Sequence, residues 1–273
     1  MSPSAIRHMV WLMEPITSVA IQRLRDGKFE TTTDSVVVEA PMEIRLGKVP
    51  LAVLMRTPGN EEDLILGFAI TEGIVLGPQE VAGVKDEGDG DRFSLTLADG
   101  IIIDPEQFRR NTYTTSSCGV CGKASIDAVR IASPALGEGP IVPIDLILSL
   151  PDRLATAQPA FAATGGLHAA AIFDQEGVLL TAAEDVGRHN ATDKAIGALA
   201  RSRWPLGQVI LMVSGRISFE IAQKAAVAGI SIVAGVSAAS SLAVELADDL
   251  GMTLIGFVRG SGLVAYAGQS RLS

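Results

Sequence analysis

The chain has 273 residues, 48% hydrophobic and 19% charged, a composition that builds a core without disulfides or metal and excludes global disorder. Its 22 Lys and Arg against 31 Asp and Glu leave a net charge of −9. That is the wrong sign for a protein whose main work is gripping nucleic-acid phosphates, although a local basic pocket for a small anion stays open.

Length suggests two domains, and the texture places them at residues 1–112 and 113–273. The apolar run from Met9 to Met13, ended by Glu14 and Pro15, is too short for an export signal. Residues 1–9 read as a leader, and the expected location is the cytoplasm. From Ile16 to Asp104 the pattern is strand-rich, with strands expected over 35–40, 42–46 and 49–55. A helix is expected over 60–73, with Asn60 as N-cap, an acidic first turn and a stripe of Leu64, Ile65, Phe68 and Ala69. Residues 93–97 and 101–103 read as a hairpin turned through Asp99-Gly100. This is a small α+β domain.

The segment 112–123 holds the two cysteines and is followed by a helix expected over 124–131. From about Phe161 the texture becomes α/β. A hairpin is expected from 167–173 and 178–183, then a helix over 191–202 and a strand over 209–213. A helix over 218–228, a strand over 230–236, a helix over 240–250 and a last strand over 252–258 follow. The alternation implies a mixed sheet, partly parallel and covered by helices. Residues 225–244 are a run of 20 without charge, about a membrane span in length. Two glycines and four serines interrupt it, so it reads as helix, buried strand, helix, with no membrane partner.

In open α/β sheets, ligands bind at the carboxyl ends of parallel strands, where loops and helix starts present free N–H groups. Those loops here hold Glu184 to Asn190 with Arg188 and His189, then Ser214-Gly215-Arg216, then Ser237 to Ser241, then Arg259-Gly260. Ordinary caps and turns explain any one of them; together they suit an anion such as a phosphate or nucleotide.

The sharpest feature is Cys118-Gly119-Val120-Cys121-Gly122-Lys123. A nearby cation and a helix start favour thiolate. A Cys-x-x-Cys pair binds metal, exchanges disulfides or carries a sulfur atom as persulfide, and two inert buried cysteines are the bland alternative. A zinc site would need His168 and His189 as well, and neither has a paired spacing that suggests one; no metal site is expected. Neither a Walker loop nor Gly-x-Gly-x-x-Gly is present.

Taken in order, several segments resemble one known family. They are Glu43-Ile44-Arg45, Met55 to Gly59, Leu66-Gly67-Phe68, Thr71 to Ile74, Ser117 to Gly122 and Thr164 to Ala171. Glu184 to Asn190 with Asp193 and Lys194, Ser214 to Arg216 with Ser218 to Glu220, Ser237 to Ser241 and Gly256 to Gly260 continue the set. The chain is similar to the FdhD/NarQ formate dehydrogenase accessory sulfurtransferases. The resemblance implies a sulfur carrier that takes persulfide sulfur from a cysteine desulfurase, with Cys118 as carrier and Cys121 assisting. It implies delivery to the molybdenum or tungsten bis-pterin guanine dinucleotide cofactor before that cofactor enters formate dehydrogenase. It also implies a larger domain like the cytidine deaminase fold, without its zinc. Cofactor contact falls on Phe257, Val258, Arg259, Gly260, Ser261 and Gly262, joined by Arg188, His189, Ser214, Gly215, Arg216 and Ser237. A guanine nucleotide is expected in the same pocket. A homodimer is compatible with this reading. The rival readings are a cofactor-binding chaperone without sulfur transfer and a zinc-dependent nucleotide hydrolase.

Overall fold

The protein is described from a computed structural model that covers residues 14–88, 90–104 and 136–273. The cysteine segment, the helix expected over 124–131 and the 112/113 boundary lie outside these residues. Two ten-residue strands, β1 (Ile16–Arg25) and β2 (Lys28–Val37), form an antiparallel ribbon. Its turn, Asp26-Gly27, has both residues at positive φ, 49° and 76°, the mirror-image turn whose twist matches paired strands. Next come β3 (Ala40–Leu46) and β4 (Val49–Arg56), then β5 (Val81–Asp86) and β6 (Arg92–Leu97). They make a sheet of order β4-β3-β6-β5, in which β3 and β6 are parallel.

Two expectations fail here. Strand 35–40 is split, because β2 ends at Val37 and β3 begins at Ala40. The hairpin assigned to 93–97 and 101–103 does not form: β6 pairs with β5, and 101–104 carries no strand. Asp99-Gly100 does turn, with Ile101 N–H donating to the Ala98 carbonyl. But Ile102 is 95% exposed, and β5 offered a longer pairing surface.

Helix α1 (Glu61–Thr71) starts after Asn60, which is left-handed at φ 59° and makes no capping hydrogen bond with its side chain. The expected apolar stripe is in fact a buried run from Leu64 to Thr71, because α1 is sandwiched between its sheet and a helix of the C-terminal half. Periodicity read from one face understates a helix covered on two.

The C-terminal half opens with α2 (Ile144–Thr156) and the short α3 (Pro159–Thr164). The elements expected from the sequence leave 144–156 unassigned. The helix forms there because Ile147, Leu150 and Leu154 bury one face completely. Then come β7 (His168–Asp174), β8 (Leu179–Asp185), α4 (Arg188–Ala200), β9 (Val209–Val213) and α5 (Phe219–Val227). The chain closes with β10 (Ile232–Gly235), α6 (Ser241–Leu250), β11 (Thr253–Arg259) and β12 (Gly262–Ala267). The strand expected to be last is therefore followed by β12. The sheet has order β12-β11-β10-β9-β7-β8, with β9, β10 and β11 parallel.

Both faces of this sheet are buried, and alternation along the strands divides two cores. Ile172, Leu211, Val233 and Leu254 meet Ala195, Ile221 and Ala243 of α4, α5 and α6. Phe173, Ile210, Ile232 and Ile255 meet Leu150 and Leu154 of α2. The uncharged run 225–244 resolves into the end of α5, strand β10 and the start of α6. Among the described residues no helix is long and apolar enough to cross a membrane.

The two halves are joined through α1, α4 and α5. Lys224 of α5 is buried and donates to both oxygens of Asp193 at 2.9 and 2.8 Å, to Thr71 Oγ1 at 2.9 Å and to Glu72 Oε1 at 3.1 Å. Burial alone would pull this ammonium down. The carboxylates of Asp193 and Glu72 outweigh it and hold the group above its ordinary value, so Lys224 stays charged.

Candidate functional site

Strand directions bring the loops singled out in the sequence to one edge. β8, β9, β10 and β11 run the same way and end there, while β7 and β12 begin there. That edge therefore carries His168, Asp185, Ser214 to Ser218, Ser237 to Ser240 and Phe257 to Gly262.

The start of α4 is held by a carboxylate with no solvent exposure. Asp185 Oδ1 accepts from Gly187 N (2.9 Å) and Asn190 Nδ2 (2.9 Å). Its Oδ2 accepts from Thr57 N (3.1 Å) and pairs with Lys194 Nζ at 2.8 Å. Asn190 Nδ2 also donates to the Met55 carbonyl and Lys194 Nζ to the Thr57 carbonyl, each at 2.8 Å. The N-terminal half thus reaches across, through Met55 and Thr57, and fixes where Arg188 and His189 begin their helix.

His189 and His168 both belong to this edge and are held differently. His189 Nε2 lies 2.7 Å from Glu220 Oε2 and 3.5 Å from Ser218 Oγ. Acid and hydroxyl meet the same ring nitrogen, whereas a nucleophilic serine triad uses the two nitrogens separately. This cluster is therefore not arranged as such a triad. His168 stands against Gly215, where a β-carbon would come within 3.3 Å of Nδ1. Partial burial, then the positive fields of Arg188 and Arg216, hold its pKa below the ordinary histidine value. It is a neutral imidazole beside two guanidiniums, with Arg216 exposed.

The loops after β9 and β10 are tied together. Ile217 N donates to the Ala238 carbonyl and Ser240 N to the Ile217 carbonyl, both at 3.0 Å. Ser214 Oγ accepts from Ala169 N at 2.9 Å, so that hydroxyl is spent on the scaffold as an acceptor. The Ser237 carbonyl accepts from Phe257 N at 3.0 Å.

Phe257 has φ 51°, a left-handed conformation costing an L-residue roughly 1–2 kcal/mol. The pairing explains it: Gly256 faces Val264 and Arg259 faces Gly262, so Phe257 and Val258 together oppose Leu263. That is a bulge whose first residue normally is glycine. The Arg259 guanidinium lies over the Phe257 ring, 5.1 Å from its centre. Gly260, Ser261 and Gly262 are exposed in the turn beyond. Val258 has no exposed surface and packs in the α2-side core, so of its atoms only the backbone is suited to ligand contact.

Cys118 and Cys121 lie outside the described residues. Sequence reasoning missed Lys224 as a bridge between the halves. Its signal was a lysine in an otherwise apolar helix face, which becomes informative only once Asp193 and Thr71 are known to face it.

These features define an α/β protein whose cationic, glycine-rich loops gather at the carboxyl edge of a mixed sheet. The sequence profile of the FdhD/NarQ family matches residues 37–273, and the chain belongs to that family. A relative from Streptomyces avermitilis, named Sulfur carrier protein FdhD, is 48% identical over 263 residues, covering 92% of this chain and 93% of its own. One of the same name from Mycobacterium tuberculosis is 45% identical over 267 residues, covering 93% and 97%. The fold is also seen in a crystal structure from Desulfotalea psychrophila described as a formate dehydrogenase accessory protein. It superimposes with a TM-score of 0.76 at 22% identity over 95% of this chain and 100% of the other.

Proposed function

We propose that this protein is a sulfur carrier serving formate dehydrogenase. In this reading it takes sulfur from a cysteine desulfurase and delivers it to the molybdenum or tungsten bis-pterin guanine dinucleotide, its substrate. The observation that carries the cofactor half is the convergence of Arg188, Arg216 and Arg259 on one sheet edge, a frame suited to an anionic dinucleotide. The sulfur half is supported by the Cys118/Cys121 pair and by kinship at 45–48% identity with proteins named as sulfur carriers.

The chemistry balances with the two thiols. Cys118 thiolate attacks the terminal sulfur of the donor's persulfide, a new S–S bond forms, and the donor cysteine leaves as thiolate. Cys121 thiolate then attacks the inner sulfur of the Cys118 persulfide. Hydrosulfide departs as the ligand for the metal, and a Cys118–Cys121 disulfide remains for a cellular dithiol to reduce. Alternatively Cys121 accepts the sulfane sulfur itself and passes it on.

Mass spectrometry after incubation with a desulfurase and cysteine tests this. Wild type gains sulfur, and the Cys118→Ser/Cys121→Ser double variant does not. Wild type without added sulfur, or undiminished loading of the double variant, overturns the relay.

A further inference from the structure

Thr57 is 2% exposed, and each of its polar groups is spent on the other half of the molecule. Its hydroxyl accepts from Val186 N at 3.1 Å, its N–H donates to Asp185 Oδ2 at 3.1 Å, and its carbonyl accepts from Lys194 Nζ at 2.8 Å. Threonine hydroxyls commonly bond to backbone within their own turn or helix; this one reaches a residue 129 positions away. Its neighbour ties the same strap to the N-terminal half. Arg56 is 1% exposed, donates from Nη2 to the Gly90 carbonyl at 2.9 Å and lies 3.2 Å from Glu61 Oε1. Pro58 follows, and a position before proline disfavours the helical conformation, which keeps α1 from starting before the strap has crossed.

We infer that Thr57 is a positioning residue for anion binding, acting through Arg188. This inference rests on the cofactor reading above and adds a residue of the N-terminal half to a site otherwise built from C-terminal loops. Thr57 is too buried to touch a ligand itself. The chain of contacts to one is short: the Thr57 hydroxyl fixes the amide of residue 186, Asp185 fixes the amide of residue 187, and Arg188 comes next as the first residue of α4. The Arg188 side chain then runs past Gly215, where a β-carbon would stand 3.8 Å from its Cδ and 3.3 Å from His168 Nδ1. That passage is narrow, so a shifted start of α4 carries the guanidinium off its line. Without the hydroxyl, the Val186 N–H has lost its acceptor and the loop ahead of α4 is no longer held in one place. An anion must then order that loop as it binds, and the ordering is subtracted from its affinity.

The test is calorimetric binding of inorganic pyrophosphate, well below the melting temperature, to wild type, Thr57→Val, Thr57→Ser, Arg188→Ala and the Thr57→Val/Arg188→Ala double variant. Thr57→Val keeps the shape and removes only the acceptor; Thr57→Ala removes the same acceptor with less bulk and gives the reading should valine fail to pack. Loss of one hydrogen bond's worth of order weakens pyrophosphate binding about 3- to 10-fold. Thr57→Ser, which keeps the hydroxyl, binds as wild type does. In the Arg188→Ala background Thr57→Val costs nothing further, because the residue it positions is gone. A hydroxyl that only stabilised the fold would lower the melting temperature and leave the affinity of the folded protein untouched, so Thr57→Val binding pyrophosphate as tightly as wild type overturns the inference. A loss that persists undiminished in the Arg188→Ala background also overturns it, as does failure of Thr57→Ser to restore affinity. In each of these cases wild type still binds and the cofactor reading stands. Wild type that binds no pyrophosphate overturns the cofactor reading and this inference with it.

Discussion

Gly67 of α1 and Gly197 of α4 meet at one helix crossing. A β-carbon on Gly197 would stand 2.7 Å from the Gly67 nitrogen and 2.0 Å from the Asp63 carbonyl oxygen. One on Gly67 would stand 1.9 Å from the Asp193 carbonyl oxygen. The helices of the two halves therefore touch backbone to backbone. Alanine at 197 gains about 1 kcal/mol of helix propensity, but the atoms in the way are backbone and cannot swing aside. Gly197→Ala is expected to lose about 1–3 kcal/mol net in urea unfolding.

The same crossing seats the buried ion cluster. Removing the ammonium leaves Asp193 uncompensated at 2% exposure, so Lys224→Met is expected to cost about 3–5 kcal/mol. The Lys224→Met/Asp193→Asn double variant should recover much of that loss, because its buried groups are neutral. Denaturant melts of wild type, both single variants and the double variant give the coupling directly.

Asp185 receives two backbone N–H groups, an amide and an ammonium. Asp185→Asn turns one acceptor oxygen into a donor facing donors and leaves Lys194 without its counter-charge. A loss of about 3–5 kcal/mol is expected. Since this carboxylate sets the start of α4, hydrogen exchange should accelerate first at the amides of residues 186–190.

His168 gives the fold a defined acid sensitivity. Its folded pKa is depressed, so the unfolded chain takes up the proton first. Its contribution to stability is full above the unfolded value of about 6.5. That contribution is lost progressively as pH falls from there towards the depressed folded value. His168→Gln should flatten the dependence of unfolding free energy on pH below about 6.5. NMR titration should show the imidazole moving back up when pyrophosphate places negative charge beside Arg188 and Arg216.

Arg216 is an exposed guanidinium of this edge and holds no ion pair among the described residues, so its removal separates binding from folding. Arg216→Ala should keep the wild-type melting temperature within a degree or two. Calorimetry should show GDP binding reduced about ten- to hundredfold, the range for a charged hydrogen bond.

Much of the C-terminal half was legible from the sequence, because buried parallel strands are unbroken apolar runs. Val209–Val213 falls where the run predicts it, and the loops with Arg188, Arg216 and Arg259 follow from that alternation. The cysteine pair, too, is a local signal that spacing and glycines make visible. What only the tertiary structure decided is pairing. β6 chose β5 over 101–103, α1 is covered twice, and β12 adds an edge strand. Lys224 finds Asp193 and Thr71, and a bulge drives a phenylalanine into a glycine conformation. Each depends on which distant segments lie side by side, and one-dimensional periodicity records how a residue is buried, not against what.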